Sequence, residues 1–150
     1  MMAEITPAQG AFGEGRHLFP IRVYYEDTDF SGIVYHANYL RFIERARTEM
    51  LREKDIHQGE ILSGEKLFFV VARMNLEFLR PARMDDLLTV ETRPVKIGAA
   101  ILELEQAVRR DDETLFTARV FIAAVSDGKA RRLPREIREK LQPGADTPPS

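Results

Sequence analysis

The chain has 150 residues, 44% hydrophobic and 31% charged, with a formal net charge of −2, three histidines and no cysteine. That is the length of one ordinary domain, with enough apolar side chain for its own core. Thiol catalysis, iron–sulfur clusters and thiolate zinc are excluded. No apolar run is long enough for a membrane-spanning helix, and the near-neutral balance disfavours a globally basic nucleic-acid surface.

Residues 1–16 are small, polar and aperiodic, and read as a mobile tail with neither the basic nor the apolar region of a signal peptide. A strand is predicted over 17–26, where Phe19, Ile21, Val23 and Tyr25 alternate with Pro20, Arg22 and Tyr24. Pro20 suits an edge or a strand end. A turn-rich loop, DTDFSG, follows. A helix is predicted over 37–53, with Asn38 as its cap and Tyr39, Ile43, Ala46 and Met50 as an apolar stripe widened by Leu40.

Beyond residue 66 the period becomes two. Strands are predicted over 70–79, around 88–92, around 102–108 and over 115–125. The last is more uniformly apolar than the others, as a central strand is. Gly98, the RRDDE stretch and Asp127-Gly128 read as turns. Pro134 opens a short terminal helix, and the Pro-rich residues 142–150 read as a frayed end. One domain, 17–141, remains. Its order predicts an α+β fold, an antiparallel sheet lying on one long helix.

The chemistry-bearing residues concentrate between the first strand and that helix, from Tyr25 to Tyr39: three carboxylates, three tyrosines and a histidine. A helix N-terminus offers unpaired N–H groups that stabilise a developing oxyanion. A carboxylate from the preceding loop can deprotonate water or attack an activated acyl group. The commoner use of such an acidic loop is capping and dipole compensation. The residues alone leave both readings open. No calcium-loop pattern, zinc motif, nucleotide-binding glycine motif or G-x-S-x-G is present, so neither metal nor cofactor is expected.

The segment R-V-Y-Y-E-D-T-D-F-S-G-I-V-Y-H-A-N-Y-L-R-F-I-E-R-A-R-T-E, Arg22 to Glu49, closely resembles the 4-hydroxybenzoyl-CoA thioesterase-like hotdog family. Within that family it is most similar to the YbgC-type acyl-CoA thioesterases associated with the bacterial Tol–Pal system. Looser similarity runs on to about residue 135. The resemblance implies a five- or six-stranded hotdog sheet around the helix. It also implies a cytoplasmic homo-oligomer, a dimer or tetramer of hotdog dimers, acting on acyl-CoA. It assigns the catalytic carboxylate to Asp29, its motif partners to Tyr25 and His36, and carbonyl polarisation to an amide near His36. Glu26 and Asp27 stay structural. Phe30-Ser31 stands where small residues are common, so Phe30 is expected to reshape the acyl pocket. CoA phosphates call for basic residues, and Arg80, Arg83, Arg131 and Arg132 are the candidates. Two alternatives belong to other classes: a hotdog hydratase or dehydratase, and a non-catalytic envelope partner that binds acyl groups or acyl carrier protein.

Overall fold

The computed structural model describes residues 3–59 and 66–142. Its elements in chain order are β1 (Ala11–Gly13), β2 (Arg16–Arg22), a single 3-10 turn at Tyr25–Asp27, α1 (Asn38–Glu53), β3 (Phe68–Phe78), β4 (Leu87–Ile97), β5 (Ile101–Arg110), β6 (Glu113–Ser126), β7 (Lys129–Ala130) and α2 (Arg135–Leu141). All strands join one antiparallel sheet in the order β1-β2-β4-β5-β6-β3, with β7 paired to β6. Five long strands form its body, and the short β1 and β7 bring it to seven. After α1 the chain crosses to the far edge as β3, then returns beside β2 as β4.

The inward residues obey the period of two. Leu88, Val90 and Thr92 of β4, Leu102, Leu104 and Val108 of β5, and Ala118, Val120 and Ile122 of β6 are buried. Helix α1 closes this face with Tyr39, Phe42, Ile43, Ala46 and Met50, all buried. Each large apolar side chain buried there contributes about 1.5–3 kcal/mol. The polar Gln106 is in phase with Leu104 and Val108 and is also buried. Its amide donates to Thr92 Oγ1 at 2.9 Å and to the Ile43 carbonyl at 3.0 Å, and accepts from Arg47 at 3.0 Å. The sheet is thereby bonded to the helix backbone, and no donor of that amide is stranded.

Four expectations need correction. Leu40 does not widen the helix stripe: it is exposed, and Phe42, one turn after Tyr39, takes that place. Asn38 is no cap; Ala37 precedes the helix without a side-chain bond, and the buried Asn38 side chain points back to the loop. The first strand stops at Arg22, because Asp27 takes the Tyr24 N–H at 2.8 Å and turns the chain out of the sheet. Residues 11–13, within the expected tail, pair with β2 instead.

Gly10 permits that attachment. It sits at φ +73°, and a Cβ there would lie 2.1 Å from the Leu18 carbonyl oxygen. Beneath the strap His17 is fully buried, its Nε2 3.0 Å from the Gln9 carbonyl. Pro20 lies where β2 has no β1 neighbour, so its missing N–H costs no ladder bond. The Asp111 and Asp127-Gly128 turns follow their hairpin patterns, with positive φ at all three residues. The terminal helix forms over Arg135–Leu141, burying Ile137 and Leu141. Residues 143–150 of the expected frayed end lie outside the described residues.

Candidate active site

The loop between β2 and α1 folds against the segment 79–86 that joins β3 to β4. Thr28 bridges to Val34 and Ile33 to Arg83. The Val34 N–H donates to the Ala82 carbonyl at 2.8 Å, and the Ala82 N–H donates to the Tyr39 hydroxyl at 3.0 Å. The Tyr39 ring stacks on Phe116 at 5.0 Å, and burial pushes its phenol pKa up. Arg110 holds the same segment from β5, donating to Asp86 and Glu113 at 2.7 Å each.

These elements leave an apolar cavity of about 300 Å³ at the start of α1. Ile33, Val34, His36 and Tyr39 form one wall, and Phe78 to Pro81 the other. His36 stands 4.5 Å from the Tyr35 ring and 6.4 Å from Phe78, centre to centre. Among the described residues, the His36 and Ala37 N–H groups make no backbone hydrogen bond. They are the free donors that a helix start offers to an incoming oxygen.

Asp29 does not itself line this cavity; it is joined to the wall through its N–H, which donates to the Ile33 carbonyl at 2.9 Å. Its Oδ1 accepts from the Ser31 hydroxyl at 2.6 Å and the Ser31 N–H at 2.8 Å. Those two bonds, with lesser help from the Ile33 backbone and the His36 charge, hold the carboxyl below its ordinary pKa. Asp29 is therefore an exposed anion next to a helix start. Asp27 differs in kind. It is 6% exposed, with Oδ2 on the Tyr24 N–H and Oδ1 on Asn38 Nδ2 at 2.9 Å. Its oxygens are occupied by the fold. Glu26 is exposed.

Of the residues singled out in the sequence, His36 and Arg80 line the cavity. Tyr25 is 82% exposed; its carbonyl accepts from the Thr28 hydroxyl at 2.7 Å, and its ring does not line the cavity. Phe30 is fully exposed at the tip of the turn and does not reach the cavity either. Arg83 flanks the site through its bridge to Ile33. Arg131 and Arg132 do not join it within one chain. The Arg131 N–H binds the Ala124 carbonyl at one end of β6, whereas the site's Arg80 N–H binds the Leu115 carbonyl at the other. At ~3.3 Å per residue those ends are about 30 Å apart.

Sequence reasoning missed Ser31 as a partner of Asp29, Asn38 as a partner of Asp27, and Phe78 and Leu79 as cavity walls. Ser31, two residues after an Asp, is an Asx-turn signal that could have been found. The walls depend on pairing with a distant strand and leave no local sign.

Residues 31–117 match the thioesterase superfamily, 4HBT, a window that opens just after Asp29 and closes before Arg131. The chain is 43% identical over 122 residues to the acyl-CoA thioesterase YbgC of Haemophilus influenzae, spanning 80% of this chain and 90% of that one. It is 31% identical over 123 residues to a 1,4-dihydroxy-2-naphthoyl-CoA hydrolase of Nostoc punctiforme, spanning 80% and 82%. The crystal structure of a probable thioesterase from Bartonella henselae matches with a TM-score of 0.77 at 46% identity, covering 79% of this chain and 99% of that one. An antiparallel sheet packed on one long helix, an open helix start facing an apolar cavity, and these likenesses agree: the chain belongs to the thioesterase superfamily, in the branch that holds the YbgC proteins.

Proposed function

We propose that this chain is an acyl-CoA thioesterase, which hydrolyses the thioester to a free carboxylic acid and CoA. The observation that carries the reading is the anionic Asp29, bonded through its N–H to Ile33 in the wall of an apolar cavity whose rim is the open N-terminus of α1. The acyl group enters the cavity, and its carbonyl oxygen meets the amide near His36. Asp29 acts as nucleophile or as general base for water. Tyr25 and His36 orient substrate or relay the proton to the leaving thiolate. A thioester needs no stronger nucleophile, because its carbonyl is less resonance-stabilised than an amide and a thiolate leaves readily.

The working unit in this reading is a homo-oligomer, a dimer or a tetramer of dimers, joined through β3. That strand is eleven residues long and, among the described residues, pairs with β6 on one side only, with Phe68, Val70, Val71 and Phe78 exposed. Beside β6, Phe68 faces Val125 and Phe78 faces Phe116. A two-fold antiparallel pairing of β3 with β3 reverses this order in the second copy. The second copy's Arg131 and Arg132 then arrive at the first copy's Phe78 end, where Arg80 and Arg83 already stand. The four arginines form the candidate rim for CoA phosphates. No helix among the described residues is long and apolar enough to cross a membrane, and we assign the protein to the cytoplasm. Acyl carrier protein and the Tol–Pal system are its candidate partners.

The test is thiol release from acyl-CoA by folded Asp29→Asn. Asn keeps size and polarity but loses charge and basicity, so turnover is expected to fall by at least about two orders of magnitude. Wild-type turnover in a variant with an unchanged melting temperature would remove Asp29 from the mechanism. Product analysis also separates hydrolysis, which frees a thiol, from hydration, which does not.

A further inference from the structure

Resting on the reading of Asp29 as the working carboxylate, we propose that Ser31 is a positioning residue that clamps one oxygen of Asp29 and leaves the other to face the substrate. Oδ1 receives the Ser31 hydroxyl at 2.6 Å and the Ser31 N–H at 2.8 Å. Among the described residues, no hydrogen bond of good geometry reaches Oδ2, and the Ile33 backbone adds only a weaker pull on the carboxyl. The two oxygens are thus chemically distinct before substrate arrives. Two donors draw charge onto Oδ1 and fix the plane of the carboxylate, and Oδ2 keeps its lone pairs for water or the thioester carbon.

The clamp has a rigid base. The Asp29 N–H binds the Ile33 carbonyl at 2.9 Å, and the Gly32 N–H binds the Asp29 carbonyl at 3.0 Å. Gly32 takes φ +82°, which closes this turn, and the Thr28–Val34 bridge ties its base together. An exposed aspartate without such partners samples several rotamers, and each must be frozen out before reaction. Ser31 removes that freedom in advance. It also sets the acidity of the site. The Ser31 hydroxyl and amide keep Asp29 ionised below its ordinary range, and His36, on the entry to α1, is the titratable group that adds to them. Ser31 thus trades basicity for orientation and for a carboxylate that stays charged in mild acid.

The experiment compares Ser31→Ala, Ser31→Thr and Asp29→Asn in thiol release from acyl-CoA, with kcat and KM measured across pH and melting temperature as the folding control. Ser31→Ala removes the hydroxyl and keeps the N–H. We expect kcat to fall about tenfold with KM within about twofold, as for an interaction used in reaction rather than in binding. The acid limb of kcat/KM should move to higher pH, and Ser31→Thr should restore both kcat and the limb. A serine that only shapes the turn would leave the limb in place. An unmoved limb and near-wild-type kcat in Ser31→Ala, with Asp29→Asn inactive, would overturn the clamp and spare Asp29. Failure of Ser31→Thr to rescue would also overturn it. An active, folded Asp29→Asn would overturn both readings together.

Discussion

Asn38 Nδ2 donates to Asp27 Oδ1 across 2.9 Å, tying the first residue of α1 to the loop that presents Asp29 two positions later. The other Asp27 oxygen holds the Tyr24 N–H, where the chain leaves β2. One buried carboxylate thus sets the spacing between a strand end and a helix start, and with it the place of the site's free amides relative to Asp29.

Asp27→Asn should therefore be a stability variant. An amide in that place turns a donor toward groups that are themselves donors. The expected loss is about 1–3 kcal/mol, the range for a buried polar group left unpaired. Chemical denaturation measures it. Turnover per folded molecule should stay far above that of Asp29→Asn, and a folded but inactive Asp27→Asn would transfer the catalytic role to Asp27.

The helix stripe predicts two opposite results at neighbouring positions. Phe42 has no exposed surface, and truncation to Ala should cost about 3–5 kcal/mol. Leu40→Ala, on the open side, should fall within about 0.5 kcal/mol of wild type. Ile43→Asp puts an unpaired charge into the fully buried layer and should not fold. Urea titration of Phe42→Ala and Leu40→Ala, read as midpoints at constant slope, ranks those two, and the absence of any unfolding transition checks Ile43→Asp.

His17 predicts a pH dependence of stability. Burial holds its pKa below the ordinary 6.5, against the Gln9 carbonyl bond and the charges of Glu53 and Glu49, which act the other way. The folded ring is neutral where the unfolded ring takes up a proton. Its contribution is complete above 6.5 and is lost as pH falls from there through the depressed folded value. The midpoint of unfolding should drop over that window in wild type. His17→Leu should lower stability at pH 8 but abolish this component of the slope. An unchanged slope would exclude His17 as its source.

Neutralising Arg131 and Arg132 together, as Gln, should raise KM for acyl-CoA more than it lowers kcat, because ground-state and transition-state binding are lost alike. The salt dependence of kcat/KM should flatten as well. Light scattering at micromolar concentration should give a dimer or a tetramer, and a fully active monomer would contradict the proposed source of those arginines. If KM and kcat are both unchanged, Arg80 and Arg83 are left to hold the phosphates.

What the sequence made legible was periodic. Tyr39, Ile43, Ala46 and Met50 recur at helical spacing, and the inward residues of β4 and β5 recur at two; both sets are buried. Phe42 escaped because two adjacent residues on one helix face look like noise against a single spacing. Asn38 was misread because the bond it makes is to a residue eleven positions back, whereas caps are local. A three-residue strand such as β1 is too short to show any period. In the site, Asp29 and His36 stood out by motif resemblance, not by pattern. Phe78 and Leu79 could not, since only the pairing of β3 with β6 brings them to the helix start.

The two margins of the sheet are unequal. On one, β2 is covered for three residues by β1 and then carries Pro20, which has no N–H to offer a newcomer. On the other, β3 offers eleven residues of ladder. A chain with two adhesive margins would stack without end; among the described residues this one has a single long open margin. When β3 meets β3, each consumes the other, and the ribbon that results is bounded on both sides by blunt ends. In the proposed β3–β3 dimer the stoichiometry of sheet growth would thereby be capped at two, by a proline and a three-residue strand on the opposite margin of the sheet.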